Sequence, residues 1–246
     1  MNNNKRHWRY SLLALALSSV FLTGCDEEAS AKVEQENTQP NTSTTISDPY
    51  PSTYERLASE PTLIKNVTLY DGIGGIFENT QILLQDGKIQ GLGDDIDLPD
   101  SYLEIDGTGK FVTPGIIDTH SHLGVYPSPD TRSHADGNEA TSPVTAEVWA
   151  EHSVWPQDPG FGRALAGGVT SLQILPGSAN LFGGRSVVLK NLPDRTMQDM
   201  KFPDAPYGIK MACGENPKRV YGRKGGPSTR MANVAGYRSA WISAAK

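Results

Sequence analysis

The chain has 246 residues, a fifth of them charged, and a formal net charge of −6. That length can fill one large domain or two small ones around a buried core. The acidic balance, with no basic block after the first ten residues, argues against nucleic-acid binding, which needs a cationic footprint.

Lys5, Arg6 and Arg9 precede a short apolar run from Ser11 to Leu22. The run is too short to span a bilayer comfortably and ends in small residues, so residues 1–24 are expected to be a signal peptide. The ending Leu22-Thr23-Gly24-Cys25 resembles a bacterial lipobox, which implies cleavage before Cys25 and lipid attachment to it. Several acyl chains on one residue anchor a protein stably. Asp26 resembles the signal that retains a lipoprotein at the periplasmic face of the inner membrane. Loss of the leader removes three cations and leaves the chain more acidic. It also leaves Cys213 without a cysteine partner, so no disulfide framework is expected. Residues 25–60 are Ser-, Thr-, Asn- and Glu-rich without apolar periodicity, and are expected to form a disordered tether.

From Thr62 the texture changes. TLIKNVTLYDG and TQILLQDGKIQGLG are β-rich, with Asp86-Gly87 as a hairpin turn. SYLEIDGTGKFVTPG predicts another strand pair about Asp106-Gly107. Residues 61–112 thus form a small β-module. A polar loop follows Tyr126, then a short helix around FGRALAGG whose glycines suit its C-terminus. VTSLQILPG is expected as a buried strand, SANLFGGRSVVLKN as a loop and short strand, and YGIKMACGEN as a third strong strand. TRMANVAGYRSAWISAAK begins a helix. Strand, helix, strand in this order suggests parallel βα units and an α/β fold.

TPGIIDTHSHLGVY, residues 113–126, sets Asp118, His120 and His122 on alternate positions. In a strand these share one face with Ile116. A barrel strand is buried on both faces, so inward polar side chains need partners. A metal ion at the strand's C-terminal end, where barrel enzymes keep their chemistry, would satisfy all three. A His-x-His pair alone is weak evidence.

In its context the run resembles the amidohydrolase superfamily, in its imidazolonepropionase-like branch. The resemblance is carried by IKNVTLYDG, ILLQDGKIQGLG and LEIDGTGKFVTPGIIDTHSHLG in that order, and spans roughly residues 62–230. It implies a (β/α)8 TIM-type barrel with a small β-sandwich, the sandwich beginning in residues 61–112 and the barrel in 113–246. It also implies a metal-dependent hydrolase acting on carbon–nitrogen bonds of a small-molecule substrate, with one or two divalent ions, zinc foremost. By the resemblance His120 and His122 are metal ligands and Asp118 supports them. Glu215, at the end of the third strand, matches a bridging glutamate, and Lys210 is its rival as a carboxylated lysine.

The loop LPGSANLFGGRSVVLK, with Gly177, Ser178, Gly183 and Gly184, could bring backbone amides close to a substrate or be a plain turn. Asp130, Arg132, His134 and Asp136 lie where substrate contacts or a solvated loop are equally at home. Cys213 reads as a small buried residue, since no histidine lies near it in sequence.

The family also uses two later histidines and an aspartate general base. The five histidines here are His7, His120, His122, His134 and His152, and none follows the last. A full barrel takes about 250 residues. The expectation is therefore the first three βα units, completed by a second polypeptide. The alternative is a catalytically inactive, truncated lipoprotein with a binding or remnant role.

Overall fold

The computed structural model describes residues 48–246. The expected signal peptide, Cys25 and the first part of the tether lie outside the described residues. No described helix is long and apolar enough to cross a membrane.

The β-module is one five-stranded sheet. β1 (Thr62–Tyr70) pairs antiparallel with β2 (Ile76–Gln85), and β2 with β3 (Lys88–Leu92). Asp86 and Gly87 both have positive φ, 53° and 68°, the conformation a two-residue hairpin turn requires. The pair expected about Asp106-Gly107 takes another form. β4 (Leu103–Asp106) and β5 (Phe111–Val112) both run parallel to β1 and do not pair with each other. The Asp106 carboxylate accepts from the Thr108 N–H and hydroxyl, so residues 107–110 form a bulge along β1 instead of a reversal. Leu63, Val67, Leu69, Ile82 and Leu83 are buried, while Ile89, Leu103 and Phe111 remain exposed. Among the described residues the module is a single sheet, and no second layer makes it a sandwich.

The α/β half begins with β6 (Ile116–Ser121), which pairs parallel with β7 (Val169–Ile174). Between them lies α1 (Pro159–Ala166), the crossover that parallel strands need. Asp158 caps α1, accepting the Gly160 N–H at 2.8 Å, with Pro159 at the first helical position. Beyond β7 the expected run of parallel units gives way. β9 (Val187–Lys190) returns antiparallel on β7, and β8 (Phe182–Arg185) pairs antiparallel with β10 (Ile209–Met211). The cause is local: Ser186 alone separates β8 from β9, and Gly184 within β8 has φ 109°, so the chain bends where the two short strands join different sheets. β6 thus has one strand neighbour, and Ile116 and Ile117, expected to be buried, are exposed.

The main core lies between β7, β9, α1 and α2 (Met197–Met200). Phe161, Leu172, Ile174, Leu189 and Met200 are almost fully buried there, with Val125 from the turn after β6. After β10 come α3 (Glu215–Tyr221) and α4 (Arg230–Ala244), the latter capped by the Thr229 hydroxyl on the Ala232 N–H.

The region read as tether is in place from residue 48. Thr53 N–H donates to the Gln198 carbonyl at 3.1 Å, and the Ser52 hydroxyl to the Lys201 carbonyl at 2.6 Å. Its composition is polar because its partners are backbone carbonyls and a buried cation, not an apolar core.

Candidate metal centre

β6 delivers two imidazoles to one place. The His120 and His122 rings stand 5.3 Å apart, nearly perpendicular, as alternate residues of one strand can. Asp118 Oδ1 accepts the His120 backbone N–H at 3.0 Å and so fixes the strand's end.

His122 is half-buried, and its Nδ1 lies 2.8 Å from the Leu175 carbonyl at the end of β7. A carbonyl can only accept, so Nδ1 carries the proton and Nε2 of the neutral ring keeps its lone pair. This is the arrangement that orients metal-binding histidines. Burial pushes the pKa of His122 down, reinforced by Lys210 and His120, and opposed by the Leu175 carbonyl and Asp118.

Lys210 of β10 reaches the same place. Its Nζ stands 3.2 Å from His120 Nε2, the side chain is buried, and burial lowers its pKa. Glu215, the favoured third ligand on sequence, starts α3 and is exposed. β10 stops at Met211, so Glu215 belongs to the helix that follows and not to the strand's mouth. Cys213, expected to be buried, is exposed for the same reason. Among the described residues no three His, Cys, Asp or Glu side chains converge on a common point. Two imidazoles and a buried amine are therefore a partial donor set, and they fit a divalent ion only as part of its shell.

The turn after His122 is held by a residue that the sequence reading missed. Asp158 accepts from Gly124 N–H at 2.9 Å and Ser128 N–H at 3.1 Å, besides its cap on α1. The signal was present in Asp158-Pro159, a helix-start dipeptide. Asp158→Ala leaves these N–H groups without an acceptor and should cost about 2–4 kcal/mol by urea denaturation. A loss under about 1 kcal/mol would mean that the turn finds other acceptors.

The Gly177 loop serves packing. A Cβ on Gly177 would lie 2.3 Å from Asn138 Nδ2, and Asn138 in turn donates to the Tyr126 hydroxyl. The Tyr126 ring stands 5.7 Å from that of His122. Of the loop residues after β6, His134 stacks on Trp155 at 4.4 Å, and Asp130 and Arg132 are exposed.

Comparison with known proteins gives a consistent answer. No family model matches the chain. The amidohydrolase tasK of Hapsidospora irregularis is 33% identical over 214 residues, covering 76% of this chain and 22% of that protein. Imidazolonepropionase of Vibrio cholerae serotype O1 is 44% identical over 59 residues, 23% of this chain and 15% of that protein. The crystal structure of an amidohydrolase from Thermotoga maritima MSB8 superposes with a TM-score of 0.68 at 44% identity. That match covers 74% of this chain and 47% of that one, so the chain spans less than half the length of these relatives. The homologues and this structural neighbour are amidohydrolases, and the mixed α/β fold matches theirs.

Proposed function

We propose that the chain carries the first part of the active site of a metal-dependent hydrolase acting on carbon–nitrogen bonds of small molecules. The observation that carries this reading is the convergence of His120, His122 and Lys210 at the ends of two strands, in a chain similar to amidohydrolases. His120 and His122 would hold the ion, zinc foremost for an imidazole set. Lys210 replaces Glu215 as the third candidate, because it is the one beside the histidines. When bound, such an ion lowers the pKa of a bound water towards neutrality and polarises a carbonyl oxygen. The protein's own part is to present His122 Nε2 by holding Nδ1 on Leu175, and to keep Lys210 buried, which lowers its pKa.

The remaining ligands and the general base would come from a further polypeptide segment completing the barrel. Support comes from Ile116 and Ile117 on β6 and Val234, Trp241 and Ile242 on α4, all exposed apolar side chains. The lack of a third convergent His, Cys, Asp or Glu among the described residues favours a second reading of this chain by itself, as non-catalytic. We also propose that Cys25 anchors the protein by lipid at the periplasmic face of the inner membrane.

Zinc titration against a chromophoric chelator tests the metal reading. The wild-type chain should compete for zinc, and the double variant His120→Ala/His122→Ala should not. Equal competition by both proteins would place any zinc site elsewhere.

A further inference from the structure

A cavity of about 740 Å³ is lined by neighbours of the residues that hold the histidine pair, and one of its walls comes from residues before the β-module. Four lining residues tie it to the centre. Val125 closes the turn whose N–H bonds the His122 carbonyl, and Pro176 follows Leu175, the acceptor for His122 Nδ1. Gly183 backs onto Lys210, whose Cγ would lie 3.6 Å from a Cβ there. Asn138 holds the Tyr126 hydroxyl. Neither His120, His122 nor Lys210 lines the space itself; the link to the centre runs through these four neighbours.

The far wall is aromatic. Tyr50 meets His152 edge-on at 4.5 Å and Trp149 at 6.1 Å, and all three line the cavity. Tyr50 is 44% exposed, so its ring is available to a ligand and is not consumed by packing. Its backbone, by contrast, is pinned. The Tyr50 carbonyl accepts from Lys201 Nζ at 2.5 Å, and the same ammonium pairs with Asp48 at 2.7 Å and Glu151 at 2.8 Å. Tyr50 N–H donates to the Asp48 carboxylate at 2.8 Å. A rigid backbone carrying an exposed ring is how a recognition surface gains contact area at low entropic cost.

The chemistry of the lining limits what it takes. Asp136, Glu139 and Glu147 contribute carboxylates, and among the described residues no lysine or arginine lines the space. An anionic group would meet three carboxylates there, with the Arg185 guanidinium engaged on the Trp149 ring, whereas a flat uncharged group finds rings.

We propose that Asp48–Tyr50 is a fixed wall of the substrate cavity, with Tyr50 determining specificity for an uncharged aromatic group and Lys201 positioning it. This rests on the amidohydrolase reading for the word substrate, and its test uses no metal, so the two can fail separately. The probe is N-acetyl-L-phenylalaninamide, titrated into the 15N-labelled full-length chain without metal while the indole signals are followed by NMR. A ligand of this size should bind with Kd of about 1 mM. Tyr50→Ala should weaken it by about tenfold or more and Tyr50→Phe by no more than about twofold, since the ring is what counts. N-acetyl-L-phenylalanine, which carries a carboxylate, should bind roughly tenfold more weakly than the amide. Asp48→Ala, which loosens the wall and leaves the ring in place, should weaken the amide several-fold. No binding of the amide, equal binding by Tyr50→Ala, or equal binding of the carboxylate would each overturn the proposal. If amide binding behaves as expected while zinc titration shows no histidine site, the wall stands and the metal reading falls.

Discussion

Lys201→Met should cost about 3–5 kcal/mol of folding stability, because it removes the cation from a desolvated cluster. Lys201 and Glu151 are each only 3% exposed. Glu151 Oε2 has Lys201 at 2.8 Å and the Tyr207 hydroxyl at 3.1 Å, and Oε1 has no partner among the described residues. Without Lys201 a buried carboxylate is left with one hydroxyl at hydrogen-bond distance, and the backbone at Tyr50 loses its donor. Replacing both ions, in Lys201→Met/Glu151→Met, should recover most of the loss, since an apolar pair avoids the desolvation cost. Urea denaturation followed by circular dichroism measures both. A Lys201→Met chain within about 1 kcal/mol of wild type would mean that water reaches the cluster.

The same cluster sets a pH window for the wall it holds. Burial would raise the Asp48 carboxyl, but bonds from Lys201, the Tyr50 N–H and Tyr207 outweigh it and hold the group below its usual value. A lowered carboxyl contributes stability that is present above its unfolded value of ~3.9 and lost as pH falls through the folded one. Burial opposes the charge on Lys201 as well, yet Asp48, Glu151 and Tyr207 raise it above its usual value. Its contribution is complete below ~10.4 and is lost only as pH rises through the raised folded value. The Tyr207 hydroxyl, pushed up to about 12 chiefly by burial, stays protonated until near the top of that window and titrates there before Lys201 does.

What could be read in advance follows the range of the interactions. The Asp86-Gly87 hairpin, the short helix around FGRALAGG, and the alternation of His120 and His122 are decided within a few residues, and all are found. The register of β4 and β5 depends on which distant strand accepts them. A turn-like Asp106-Gly107 therefore pointed to a hairpin where a bulge on β1 forms. The choice of a third ligand has a related range. Glu215 and Lys210 are five residues apart, and which one reaches the histidines depends on where β10 ends and α3 starts. The clamp that Lys201 makes with Asp48 and Glu151 spans 153 and 50 residues of chain, and no local pattern announces it.

Zinc affinity should rank the candidate ligands. A complete structural zinc site gains about 10–16 kcal/mol from four ligands, so one imidazole is worth roughly 3 kcal/mol, or about 100-fold. His122→Ala and His120→Ala should each lose about that much. Asp118→Asn, which weakens the support of the His120 backbone without removing a ligand, should lose about tenfold. Lys210→Met should lose tenfold or more, because the amine beside His120 Nε2 can donate a lone pair once deprotonated, and burial favours that form. Glu215→Ala should leave affinity within about twofold, since that side chain is exposed at the start of α3. Protons compete for the same nitrogens, so affinity should fall as pH drops. Burial already disfavours the charged form of His122, so its nitrogen meets less of that competition than an exposed imidazole would. The informative reversal is a silent Lys210→Met together with a damaging Glu215→Ala. That pair of results would mean that metal binding draws α3 towards the histidines, and it would restore the glutamate as the third ligand.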